Sequence, residues 1–325
     1  MSDSSAFKAS GTSSASGVLR RYLDPRTLAR VHGLELRARL IVEGTMSGMH
    51  RSPFQGSSVE FAQHRQYSPG DDIRHLDWRV FGRSDRLYIK QYQEETNLPL
   101  VLAVDASESM AYGSQAAPRS EGSREVWTKF DHAVSLAAAL AYLAIHQQDA
   151  VGLAVFDRSI TRYLRPSTSG TQWKQVIEEL THVPNWNPTE TARVLGELSE
   201  KLSHRSLVMV VTDAFDDVDA IVRGLKKLRY RKHEVAMLRV LDRAELNFPF
   251  DDVTLFKGME ESGEILTEPR ALREAYLEEV RRSTETLARA CRGMGIDFCQ
   301  FDTGEPIDAE LAAFLARRGS GSGKG

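Results

Sequence analysis

Leu98-Pro-Leu-Val-Leu-Ala-Val-Asp105-Ala-Ser-Glu-Ser109 is an apolar run that stops on an acid and then sets two hydroxyls at alternate positions. A segment apolar at nearly every position suits a strand covered on both faces, as in a parallel sheet sandwiched between helices. An acid and two serines at its exit are a poor way to build a core. Their oxygens do suit a hard divalent cation, which points to Mg²⁺, with Mn²⁺ or Ca²⁺ as alternatives.

Working outward, the pattern after Leu98 alternates strands with helices. Strands are predicted at Leu98–Val104, Val151–Phe156, Leu207–Thr212, Val235–Leu241 and Asp297–Phe301. Helices are predicted at Phe130–His146, Gln172–Leu180, Thr191–Leu202, Asp217–Leu228, Arg270–Arg292 and Asp308–Arg317. The fold class is therefore α/β, a doubly wound and mostly parallel Rossmann-like sheet with helices on both faces. Tyr112 to Thr128 reads as a polar loop beside the exit of the first strand.

In open sheets of this kind, ligands bind outside the carboxyl ends of the strands, where strand order reverses. Three segments bring oxygen ligands to such ends: Asp105, Ser107 and Ser109 after the first strand, Asp213 after Leu207–Thr212, and Thr189 in the loop Asn187-Pro-Thr189. Any one of them alone is an ordinary cap or turn residue. Together, all oxygen and all on one edge, they are candidate metal ligands.

Ahead of the sheet, Asp24 before Pro25 predicts a helix start. Leu28, Val31, Leu34, Leu36, Ile41 and Val42 suit one amphipathic helix ending near Gly44, followed by a loop to Ser57. From Ser58 to Thr96, arginines (65, 74, 79, 83, 86) interleave with aspartates (71, 72, 77, 85), which favours paired Arg–carboxylate contacts in a compact segment. Ser68-Pro-Gly-Asp71 is a tight turn, Trp78 and Phe81 are expected to anchor the segment to the sheet, and Leu87–Tyr92 alternates like a strand. The predicted organisation is a disordered tail at 1–22, a smaller Arg/Asp-rich segment at 23–96, the sheet domain at 97–318 and a disordered tail at 319–325.

Composition narrows the function. The net charge of −3, with 41% apolar and 27% charged residues, is that of an ordinary soluble globular chain, without the concentrated basic face that nucleic acid needs. Two cysteines, Cys291 and Cys299, are too few for a disulfide scaffold or a cysteine-rich zinc site. No secretory leader and no membrane-length apolar stretch is present, so the expected place is the cytoplasm, without membrane insertion. The final GSGSGKG has Arg318 where a phosphate loop requires its first glycine. Ser-elbow and His-Glu-x-x-His patterns are absent, which makes a binding protein the first expectation. Two alternatives stand beside it: a metal-dependent hydrolase or phosphatase using Asp105, and a metal-free interaction scaffold.

Asp105-x-Ser107-x-Ser109, Thr189 and Asp213 resemble the metal-ion-dependent adhesion site of the von Willebrand factor type A fold. The resemblance implies that these five positions ligate a metal, some through water, with one open position filled by a carboxylate of a partner protein. Two departures are visible: Thr189 follows Asn187 and Pro188 where glycines are usual, and Asp213 precedes Ala214 where glycine is common.

The stretch from Glu60 to Lys90 resembles the long pattern E-F-x-x-x-R-x-Y-x-P-G-D-D-x-R-x-I-D-W, followed by A-R and L-x-V-K, of domain-of-unknown-function family 58. Glu60, Phe61, Arg65, Tyr67, Pro69, Gly70, Asp71, Asp72, Arg74, Asp77, Trp78, Arg83, Leu87 and Lys90 fit it, with Leu76 for Ile. That family joins such a segment to a von Willebrand type A-like domain. Its members often accompany MoxR-type AAA+ ATPases, so the resemblance implies such an ATPase, or its client, as partner in chaperone-like or complex-maturation work.

Overall fold

The structure, a computed structural model, describes residue 42 and residues 55–68, 77–84, 86–116, 126–182, 184–252, 254–257 and 264–321. Its first part is an antiparallel pair, β1 (Gln55–Gln66) with β2 (Tyr88–Asn97), whose register runs from Gln55 opposite Asn97 to Gln66 opposite Tyr88. The short helix α1 (Trp78–Ser84) lies between them in the chain. Strand structure thus begins earlier than the expected loop to Ser57 allows, and the predicted strand at Leu87–Tyr92 extends to Asn97.

Trp78 corrects a second expectation. It is 63% exposed and meets Phe81 edge-on at 6.2 Å, so it does not bury against the sheet. Arg83 and Arg86 are exposed as well, whereas Asp77 is buried and accepts the Val80 N–H. The tight turn beyond Ser68, the pattern residues from Pro69 to Leu76, both tails except residues 319–321, and the 24–44 helix apart from Val42 lie outside the described residues. Val42 is helical and buried in the main core.

The chain then runs β3 (Leu100–Asp105), a short ribbon β4 (Gln115–Ala116) and β5 (Val126–Trp127), α2 (Lys129–His146), β6 (Val151–Phe156) and β7 (Ile160–Ser167). Next come α3 (Gln172–Leu180), α4 (Thr191–Lys201), β8 (Leu207–Thr212), α5 (Val218–Tyr230), β9 (Glu234–Leu241) and α6 (Arg243–Asn247). A hairpin of β10 (Thr254–Lys257) and β11 (Glu264–Thr267), the long α7 (Pro269–Gly293), β12 (Asp297–Asp302) and α8 (Ile307–Gly321) complete it. The last helix carries three residues that the sequence assigned to the tail.

Six strands form one sheet in the order β12-β9-β8-β3-β6-β7, all parallel to their neighbours except β7, which runs antiparallel to β6. β3, β6 and β8 are buried at every position because both faces of the sheet are covered. Alternation assigns the faces: Leu100, Leu102 and Val104 pack with α2, α3 and α8, while Val101 and Ala103 pack with α4, α5 and α7. Each such leucine or valine side chain contributes about 1.5–3 kcal/mol when fully buried. Ala133, Ala137, Ala138, Ala141 and Ala144 make α2 narrow enough to lie close to the sheet, and it is buried almost all round. Strand order reverses at β3, which has β6 on one side and β8 on the other. The carboxyl ends of β3 and β8 therefore open at the switch point.

Candidate metal centre at the carboxyl edge of the sheet

Asp105 is the last residue of β3, and the Ala106 N–H still bonds to Phe156 O at 2.7 Å before the chain turns away. Ser107 then precedes a single 3₁₀ turn, Glu108–Ala111. This turn folds the Ser-x-Ser pair back on the acid: Ser107 N–H donates to Asp105 Oδ1 at 2.9 Å, and the Ser107 and Ser109 hydroxyls lie 3.1 Å apart. The Thr212 hydroxyl, from the end of β8, donates to Asp105 Oδ2 at 2.5 Å. Asp105 and Ser107 are fully buried and Ser109 is 8% exposed, so the serine end is the mouth of the group. Burial first, and the neighbouring Asp213 second, push the Asp105 carboxyl up to about 7, against the hydrogen bonds from Thr212 and Ser107.

Asp213 sits just past β8, also fully buried. Its Oδ2 accepts from Lys129 Nζ at 2.8 Å, its Oδ1 from Phe215 N–H at 3.3 Å, and its carbonyl oxygen from Arg239 Nε at 2.9 Å. Ala214, next in the chain, has φ of 54°, in the left-handed region that glycine adopts more readily than alanine. Lys129 also donates to Glu245 Oε1 at 2.7 Å. Burial works against its charge, but Asp213 and Glu245 together outweigh it and hold the ammonium above the ordinary lysine value. Glu245 is itself raised by burial, with Lys129 opposing.

Thr189 reaches the same edge by a different route. Glu108 N–H donates to Asn187 O at 2.9 Å, so the Thr189 loop leans on the Ser107–Ser109 turn through its backbone. Asn187 Nδ2 bonds Asp157 Oδ2 at 2.8 Å and Thr191 N–H bonds Asp216 Oδ2 at 3.1 Å, pinning the loop at both ends. The half-buried Thr189 has its hydroxyl 3.2 Å from that of Thr191. Direct hydrogen bonds thus join Asp105, Ser107 and Ser109. Asp213 couples to Asp105 through charge, and Thr189 is a neighbour through its loop.

Several residues at the edge were not foreseen: Lys129, Thr212, Glu245, Arg239, Asp157 and Asp216. One had a legible signal. Arg239 interrupts an otherwise apolar strand, Val235–Leu241, and a charge in such a place needs partners. Nothing local marks Lys129 as the partner of Asp213, 84 residues away.

The donor set fits a hard cation. Among the described residues no group of three or more His, Cys, Asp or Glu side chains could hold a metal. What converges instead is one carboxylate with two hydroxyls, a second carboxylate beside them, and a raised Asp105 acid to which a cation would restore its ordinary ionisation. No described helix is long and apolar enough to cross a membrane.

The family model described as protein of unknown function DUF58 matches residues 63–286, from within β1 to well along α7. The chain belongs to the DUF58 family. Among relatives of this DUF58 chain are the uncharacterized proteins Rv1480 of Mycobacterium tuberculosis and Mb1516 of Mycobacterium bovis, each 27% identical over 308 residues and 92% of both chains. Among solved structures it is similar to BatB from Bacteroides thetaiotaomicron, at 16% identity, TM-score 0.43 and coverage of 69% of this chain and 100% of that one. An aerotolerance-related membrane protein from Bacteroides fragilis gives 16% identity and TM-score 0.44 over the same shares.

Proposed function

We propose that this protein is a non-enzymatic binding module whose Asp105, Ser107 and Ser109 hold a divalent cation, Mg²⁺ or alternatively Mn²⁺ or Ca²⁺, with Thr189 and Asp213 beside it. The bound cation would supply an open position for an oxygen ligand, which an acidic side chain of a partner protein fills. The single observation that carries this reading is the buried Asp105 carboxylate, ringed by hydroxyls and bonded to no basic side chain among the described residues. Ser107 N–H and Thr212 orient its two oxygens, and the 3₁₀ turn brings the serine hydroxyls next to it. The partner we infer is a MoxR-type AAA+ ATPase or its client, on the family resemblance. Purified ATPase from the same cell should bind the protein in Mg²⁺ and be released by chelation or by Asp105→Ala. Equal binding in all three conditions would discard the cation bridge.

The Lys129–Asp213 pair favours a second reading, a metal-free interaction scaffold in which the ammonium alone holds the edge together. Calorimetry separates the two, since a scaffold takes up no divalent ion at millimolar concentration. A phosphatase role for Asp105 finds less support, because a nucleophilic carboxylate must be reachable and this one has no exposed surface.

A further inference from the structure

The carboxyl edge already contains a positive charge of its own. Lys129, the first residue of α2, is 1% exposed and spends two of its three N–H donors on Asp213 and Glu245. The ring of Phe215 lies 4.6 Å from the ammonium. Three elements therefore meet at one nitrogen: α2 through Lys129, the end of β8 through Asp213, and α6 through Glu245. Arg239 fixes Asp213 from the other side by holding its carbonyl oxygen, and is itself tied to Thr284 of α7 at 2.8 Å. Asp213 is thus restrained at side chain and backbone, while Asp105 has only uncharged donors.

We propose that Lys129 is a resident counter-cation that withholds Asp213 from direct coordination and keeps the divalent affinity of the Asp105–Ser107–Ser109 group low until an outside carboxylate joins it. The proposal rests on the reading of that group as a cation site. One carboxylate and two hydroxyls neutralise half the charge of a divalent ion, and affinity in oxygen sites rises with the number of charged ligands. With Asp213 neutralised by lysine, the missing negative charge has to come from the partner. Cation and acidic partner then strengthen each other's binding by the same factor. The lysine also joins the three elements at Nζ.

The test is Mn²⁺ titration of the full chain by calorimetry and by the loss of the free-ion paramagnetic signal, with and without acetate as the probe carboxylate. The wild type should bind weakly and tighten with acetate. Lys129→Met should bind about tenfold more tightly or better, because a second carboxylate is released, and should gain little from acetate. Its melting temperature should rise with Mn²⁺ by more than that of the wild type. Lys129→Met leaves two buried carboxylates without their cation; where it fails to fold, Lys129→Met with Glu245→Gln removes one of them and carries the same comparison. Asp105→Asn should abolish binding in every background. Mn²⁺ affinity unchanged or lower in a folded lysine variant overturns the role of Lys129 and leaves the cation site standing. Absence of binding in all forms, or binding that survives Asp105→Asn, overturns the site itself and the proposal with it.

Discussion

Asp105 combines complete burial with a carboxylate that only neutral groups touch. Burial, then Asp213, moves its pKa from 3.8 to about 7. In the unfolded chain the acid ionises near its ordinary value, so between about pH 4 and 7 the folded protein holds a proton that the unfolded chain has lost. Stability is then greatest below that window, as far as this group contributes, and falls as pH rises through it. In chelator-treated protein, Asp105→Asn should be more stable than the wild type above pH 7, by on the order of 2–4 kcal/mol. The difference should vanish toward pH 4, and urea unfolding across that range checks it; parallel pH profiles would count against the account. A divalent ion acts in the opposite direction, since it binds the ionised acid and expels the proton.

At the scale of elements, α2 carries the lysine, and its first turn is set by a capping box. Thr128 Oγ1 accepts from Asp131 N–H at 3.1 Å, while Asp131 Oδ2 accepts from Thr128 N–H at 3.0 Å. Thr128→Ala should cost about 1 kcal/mol in denaturant unfolding. One turn on, His132 is buried against Trp127 and Phe301, and burial lowers its pKa to about 4 although Asp242 pulls the other way. The unfolded histidine takes up a proton near its usual value, so its contribution is full above about pH 6.5 and is lost as pH falls toward 4, by about 3 kcal/mol. His132→Leu should flatten that loss; an unchanged acid limb would show that another group controls it. Ahead of the helix, a Cβ on Gly113 would stand 2.2 Å from the Trp127 carbonyl oxygen. Gly113→Ala should therefore displace the β4–β5 ribbon and lower the melting temperature.

These elements also show what could be read from the chain and what could not. β6, β8 and α3 fall on the predicted residues because apolar runs covered on both faces, and a clear helical stripe, leave little ambiguity. β7 was missed: as the half-exposed edge strand it mixes Arg162, Tyr163 and Arg165 with Pro166, and no alternation stands out. The short α6 escaped for want of a periodic stripe, yet it delivers Glu245 to the edge. Of the site, the local part was legible, because Asp105, Ser107 and Ser109 are neighbours in the chain. The Lys129–Asp213–Glu245 contacts span 84 and 116 residues and exist only once the sheet has formed.

For the molecule as a whole, strand order puts the exits of β3 and β8 at the reversal point, and the helices of both faces supply the residues that close the edge. The two core clusters of the sheet are built from apolar side chains that do not include Asp105, so Asp105→Ala should remove divalent-dependent partner binding and leave the circular dichroism spectrum unchanged. The most direct test of the central claim is an anomalous difference map from crystals grown in millimolar Mn²⁺ with acetate. A single peak is expected beside Asp105, Ser107 and Ser109, with Lys129 still bonded to Asp213. An edge without a peak, or a peak elsewhere with these side chains as they stand now, would contradict it.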